Sequence, residues 1–161
     1  MNIDFSYILE DKCLAEVKFK ADDYEIKFDA SCLYDSLYTL IDSARKLLLD
    51  KKVVILPFFG RTSSAIYQFV IRKISDEVVE IELRLYKDVA TYNRIASREY
   101  EMLFKGRTSL KHYVKNAYDI ANNVRNKYTL DEYQKMWGHQ FPEEYLNKLG
   151  VLIIECELDK D

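Results

Sequence analysis

Proline and glycine are scarce in this chain, two and four among 161 residues, which excludes collagen-like, linker-dominated and low-complexity classes. The four glycines, Gly60, Gly106, Gly138 and Gly150, stand alone. No glycine-rich loop is available to cradle a phosphate, so no nucleotide cofactor is expected. Cys13, Cys32 and Cys156 are an odd number without short paired spacing, a pattern that points to a reduced compartment and not to a disulfide framework. The two histidines, His112 and His139, are separated by 27 residues, and neither H-x-x-x-H, H-E-x-x-H nor C-x-x-C occurs; no metal site is expected. A hydrolytic nucleophile would need a base held beside it, and the chain has no G-x-S-x-G and no recognised cysteine frame, so no catalytic residue is assigned. The longest apolar runs, Val53 to Phe59 and Val151 to Ile154, fall far short of the roughly 20 residues that cross a bilayer. Asp4, Glu10 and Asp11 near the N-terminus do not fit a secretory leader. A cytoplasmic protein is expected.

What the chain does have is apolar and aromatic side chains: 48% of its residues are hydrophobic, with 13 Tyr and 8 Phe, enough for a single α+β domain over residues 1–161. The net charge of −3 conceals an uneven distribution. Residues 1–50 carry six cations and eleven acids, residues 51–104 nine and seven, residues 105–128 six and one, and residues 129–161 three and eight. The basic segment could face nucleic acid or an acidic partner, but a domain of pI 5.5 lacks the net basic footprint of a nucleic-acid binder. A solvated helix face is the preferred reading.

Period-two alternation in the first third, with Ala15, Val17 and Phe19 and then Tyr24, Ile26 and Phe28 on one side, predicts half-buried strands. With Ile3 to Leu9 they make a three-stranded meander. A helix follows, capped by Ser31 and carrying Leu33, Leu37, Leu40, Ile41, Ala44 and Leu47 at helical spacing. Val53 to Phe59, stopped by Pro57 and Gly60, then Ala65 to Ile71 and Val78 to Tyr86 read as further strands. In the last, Val79, Ile81, Leu83 and Leu85 alternate with Glu80, Glu82 and Arg84, so one face meets the core. Residues 87–98 have no clear period. Tyr100 to Phe104 reads as a strand, Lys105 to Thr108 as a turn, and Leu110 to Tyr128 as a second amphipathic helix capped by Thr108 or Ser109. Thr129 caps a short helix ending at Trp137, Pro142 opens another through Leu149, and Val151 to Ile154 reads as a closing strand. The expected architecture is α+β: a largely antiparallel sheet ordered β-meander, helix, β-meander, helix, with two long amphipathic helices on one face and short C-terminal helices.

The only Trp lies in Tyr133-Gln134-Lys135-Met136-Trp137-Gly138-His139-Gln140-Phe141-Pro142, followed by Leu146 and Leu149. Together with Ala30-Ser31-Cys32-Leu33-Tyr34-Asp35-Ser36-Leu37 and the strand-loop-strand from Val53 to Ile71, this segment resembles a largely uncharacterised family of small bacterial α+β proteins. Some members of that family are similar to immunity proteins of polymorphic or contact-dependent toxin systems. The resemblance implies the same meander-helix order, a W-G-H-x-F-P turn near the end and a protein partner, the cognate toxin. Relatives often carry an acidic E-P-G-E-type loop where this chain has Gly60-Arg61-Thr62-Ser63-Ser64, so a role tied to those acids does not transfer.

A non-enzymatic binding protein without cofactor is therefore the leading expectation, recognising its partner through irregular segments. The candidate contacts are Arg61, Thr62, Ser63 and Ser64, then Tyr92, Arg94 and Arg98, with Asp22 and Asp23 as outer candidates. An alternative is a small-molecule binder or enzyme with a site between sheet and helices built from His139, Tyr67 and Arg94. Nucleic-acid binding through Lys111, Lys115 and Arg125 is a third and disfavoured reading.

Overall fold

The computed structural model describes residues 1–10, 12–60, 64–93, 99–158 and 160. Strands β1 (Ile3–Glu10), β2 (Leu14–Ala21) and β3 (Tyr24–Ser31) form one antiparallel sheet in that order. Helix α1 (Ser36–Leu48) leads into a second antiparallel sheet of β4 (Val53–Phe59), β5 (Ile66–Lys73), β6 (Val78–Tyr86) and β7 (Glu101–Ser109), also in sequence order. A four-residue helix α2 (Val89–Tyr92) lies between β6 and β7, and α3 (Leu110–Lys127), α4 (Leu130–Trp137) and α5 (Glu143–Glu155) complete the chain. The fold is mixed α+β with two sheets where the alternation pattern pointed to one. Among the described residues no helix is long and apolar enough to cross a membrane.

The inner faces of the two sheets share one core. Phe5, Phe19 and Phe28 of the first sheet all pack on Phe69 of β5, and Phe28 stacks on Tyr67 at 4.2 Å and 8°. Helix α1 lies along β4, α3 along β1, and both pack on each other and on α5. They close the space between two edge strands of different sheets, so the long helices do not cover one common sheet face. Asn116 of α3 seals the open edge of β1: the Phe5 N–H donates to its Oδ1 at 2.8 Å and its Nδ2 donates to the Phe5 carbonyl at 3.2 Å. A side-chain amide thus satisfies the backbone groups that an edge strand otherwise presents to other chains.

Several local expectations are corrected. Ser31 stays in β3, paired with Leu14, and accepts the Leu33 N–H, while Asp35 caps α1 by accepting from Tyr38. Leu33 accordingly lies in the turn before α1, 89% exposed, and not in the helical core. β4 runs through Pro57, because Pro57 opposes Gln68 while Gly60 N donates to the Ala65 carbonyl three residues on; that alternation leaves the nitrogen of Pro57 on the open side of an edge strand. Lys105 to Thr108 is no turn but the second half of β7. A Cβ at Gly106 would come within 2.7 Å of Phe104 Cζ and 3.0 Å of Met1 Sδ, so a larger residue would have to displace the Phe104 ring from Phe19 and Tyr24. Val151 to Ile154 belongs to α5, which has 13 residues, as many as α1; a four-residue apolar run carries no period that separates strand from buried helix.

The cap residues Ser109 and Thr129 match expectation, Thr129 completing a reciprocal box with Glu132. Gly138 ends α4 in the left-handed conformation at φ +83°. Trp137 is fully buried, edge-on to Tyr7 of β1, and its Nε1–H donates to Asp35 Oδ1 at 3.0 Å. Its ring thus fastens α4 to β1 and to the start of α1. Replacing Trp137 with Ala should cost about 3–5 kcal/mol in denaturant titration, as for other large core aromatics. Tyr133 offers the opposite case. Its buried hydroxyl has no hydrogen-bond partner among the described residues, and burial, with Asp35 and Tyr7 nearby, holds its phenol far above the ordinary range. Tyr133→Phe should leave stability unchanged or raise it by up to about 1 kcal/mol, since it removes an unsatisfied polar group and keeps the ring; a loss of that size would reveal a hydrogen bond.

Candidate functional site

The side of the four-stranded sheet that faces away from the core is ordered in rows fixed by strand register. One row runs Phe59, Ile66, Tyr86; the next Pro57, Gln68, Arg84, Met102; then Ile55, Val70, Glu82, Lys105; and last Val53, Arg72, Glu80, Arg107. Because side chains alternate, Leu56, Phe58, Phe69, Ile81 and Leu83 all point to the core and leave these rows outside. The β4 end of the lower rows is aliphatic and open, with Ile55 50% and Val53 39% exposed. The β7 end is charged.

Glu82 organises the charged end. Its carboxylate is almost fully enclosed and accepts from Arg72 Nη1 at 2.7 Å on one oxygen and from Arg84 Nε and Nη2 at 3.0 and 2.6 Å on the other. Lys105 Nζ approaches it at 3.5 Å, and Lys105 and Arg107 also reach Glu80 at 3.6 and 3.3 Å. The Arg84 guanidinium lies over the Tyr100 ring, 4.4 Å from its centroid, which fixes its plane. Burial on its own would raise the Glu82 carboxyl, but the hydrogen bond from Arg84 and the charges of Arg72 and Arg84 outweigh it and hold the group below the usual carboxylate range.

The upper rows are closed by aromatics. Tyr92 of α2 meets Phe59 and Tyr86 edge-on at 5.6 and 5.1 Å, Tyr34 tilts against Phe59 at 5.5 Å, and Tyr100 packs on Tyr86 at 5.5 Å. Gln68 is buried beside them, and its Oε1 has no partner among the described residues. Burial raises the Tyr92 phenol, and the neighbouring Gln68 side chain lowers it by less.

Of the residues singled out from sequence, Ser64 and Tyr92 do come to one end of this sheet: Ser64 Oγ donates to the Lys87 carbonyl at 3.0 Å, joining the β4–β5 connection to the approach to α2. Arg61, Thr62, Ser63, Arg94 and Arg98 lie outside the described residues. Asp22 and Asp23 form the β2–β3 turn of the other sheet, on the core side of β7 where Tyr24 stacks on Phe104, and so are not part of the outer face. The alternative constellation is dispersed. Tyr67, half-buried, stacks on Phe28 at the margin of the core, whereas the His139 Nε2–H donates to the Cys32 carbonyl at 2.5 Å beside Trp137. On the basic helix, Arg125 bonds Glu143 and His112 bonds Asp4, so acids stand among the cations. Among the described residues no cluster of three or more His, Cys, Asp or Glu is placed to hold a metal ion.

The sequence reading missed Ile55, Arg72, Glu82, Lys105 and Arg107 as a group. Its one trace was the alternation of Glu80, Glu82 and Arg84 with apolar residues; which cations stand beside them depends on strand register.

No protein-family model matches the chain, and no curated protein does. Among solved structures, a chain of the CdiA-CT/CdiI toxin and immunity complex from Enterobacter cloacae shares the fold, with a TM-score of 0.50 and 14% sequence identity over 73% of this chain and 99% of that one.

The Glu82 network makes a pH prediction. A carboxyl held lower in the folded than in the unfolded chain stabilises the fold above its unfolded value, near 4.5, and that stability is lost as pH falls through the folded value. Glu82→Gln should cost about 1–2 kcal/mol at pH 7, less than for a fully buried pair because Arg72 and Arg84 keep contact with water. The loss should shrink when unfolding is measured at pH 3; an equal loss at both values would show that the charge is not what matters.

Proposed function

We propose that this protein is a non-enzymatic binding protein of the immunity type, which neutralises one cognate bacterial toxin in the cytoplasm by covering a functional surface of that toxin. The observation that carries the reading is the shared fold with a chain of a toxin and immunity complex, extending over nearly all of that chain. A low-identity likeness supplies a scaffold and not an activity, so the contact surface has to come from this molecule itself. The outer face of β4 to β7 suits the task. It combines exposed aliphatic side chains with a fixed array of charges on a rigid sheet, and such a mixture gives both burial and specificity at an interface. Toxins of contact-dependent growth inhibition and related polymorphic systems are the proposed partners.

Expression of the toxin domain encoded beside this gene provides the test. Bacteria carrying the toxin domain alone should stop growing, and co-expression of this protein should restore growth, with the two proteins eluting as a stable complex. Growth arrest that persists despite full expression of the folded protein would refute the reading. Growth inhibition by this protein alone would place it on the toxin side of such a pair.

A further inference from the structure

We propose that the lower rows of the outer sheet face, from Ile55 and Val53 across to Lys105 and Arg107, are a docking platform for an acidic protein surface. The proposal identifies the kind of partner that the immunity reading requires and rests on that reading for its biological meaning, though not for its physical test.

Charge carries the argument. Among the described residues Arg72, Arg84, Lys105 and Arg107 share two carboxylates, Glu80 and Glu82, so these rows keep a positive surplus within a molecule whose net charge is −3. The surplus is accessible: the side chains of Arg72, Lys105 and Arg107 are 34%, 53% and 61% exposed. It is also already positioned. Glu82, enclosed at the centre, holds Arg72 and Arg84 by short bonds, and Tyr100 holds Arg84 from above. Cations fixed before binding lose little side-chain freedom when a partner arrives, which is where flexible surface lysines lose affinity.

The aliphatic half decides between classes of anionic partner. A phosphate backbone makes no use of exposed Val53 and Ile55, and nucleic-acid surfaces are more basic than four cations among two acids on an acidic protein. An acidic protein surface, with carboxylates beside apolar side chains, matches both halves. Encounter would be steered by the charges, and Ile55 would be buried on docking.

The test is amide chemical-shift mapping of the intact isotope-labelled protein at low salt, with an oligo-glutamate peptide as probe, a single-stranded oligonucleotide as competitor, and Lys105→Glu/Arg107→Glu as the variant. The proposal predicts peptide-induced shifts in residues 70–72, 80–84 and 102–107, weakened at least tenfold in apparent affinity in the double variant, whose melting temperature stays within a few degrees of the parent. Shifts centred on Lys111 and Lys115 of α3, or no shifts, would overturn it. So would an oligonucleotide that displaces the peptide from these rows at lower concentration, which would make the partner a nucleic acid. With the neighbouring toxin, equal binding to parent and double variant would overturn the platform and leave the immunity reading intact; binding to neither would remove the immunity reading while the peptide map still decides the platform.

Discussion

The ring of Phe69 touches Phe5, Phe19 and Phe28 of the three-stranded sheet and Phe58 of its own, at centroid separations from 4.9 to 6.3 Å. Two small antiparallel sheets, each with an apolar face to bury, become one core through this contact. Packing on one side also decides what happens on the other. Once Phe69, Phe58 and Leu83 are committed inward, strict alternation turns Val70, Glu82 and Ile55 outward. The proposed binding face is thus a geometric consequence of the core.

The helices are held to this frame by a few polar bonds between distant parts of the chain. Ser43 of α1 and Tyr113 of α3 join their hydroxyls at 2.7 Å inside the core, and Asn116 closes the edge of β1. Asp35 caps α1 and accepts from the Trp137 indole with the same oxygen. That second bond ties the end of α4 to the start of α1. These bonds lie away from the outer rows of β4 to β7, so the helices are anchored independently of the proposed recognition face.

Where the sequence was legible, a local rule acted without competition. Ser109 and Thr129 cap helices because their hydroxyls reach first-turn N–H groups wherever the chain goes next, and the long apolar stripe of α3 could only be a helix. The failures share a cause too. Pro57, Gly106 and Leu33 were read from intrinsic preference, yet an open edge accommodates the proline, the Phe104 ring fills the space beside the glycine, and the turn before α1 expels the leucine. The charged rows were hidden for the same reason, since Arg72, Glu82 and Lys105 become neighbours only across strands. Register is a property of the assembled sheet, and a single sequence records it only indirectly.

The claim that two sheets form one rigid unit, leaving the outer face of β4 to β7 as a preset surface, is tested most directly by native-state hydrogen exchange. The account predicts that the slowest amides of β2 and of β5 open with the same free energy, equal to that of global unfolding. Opening of either sheet at a free energy lower by about 2 kcal/mol or more would mark it as a separate cooperative unit and contradict the account.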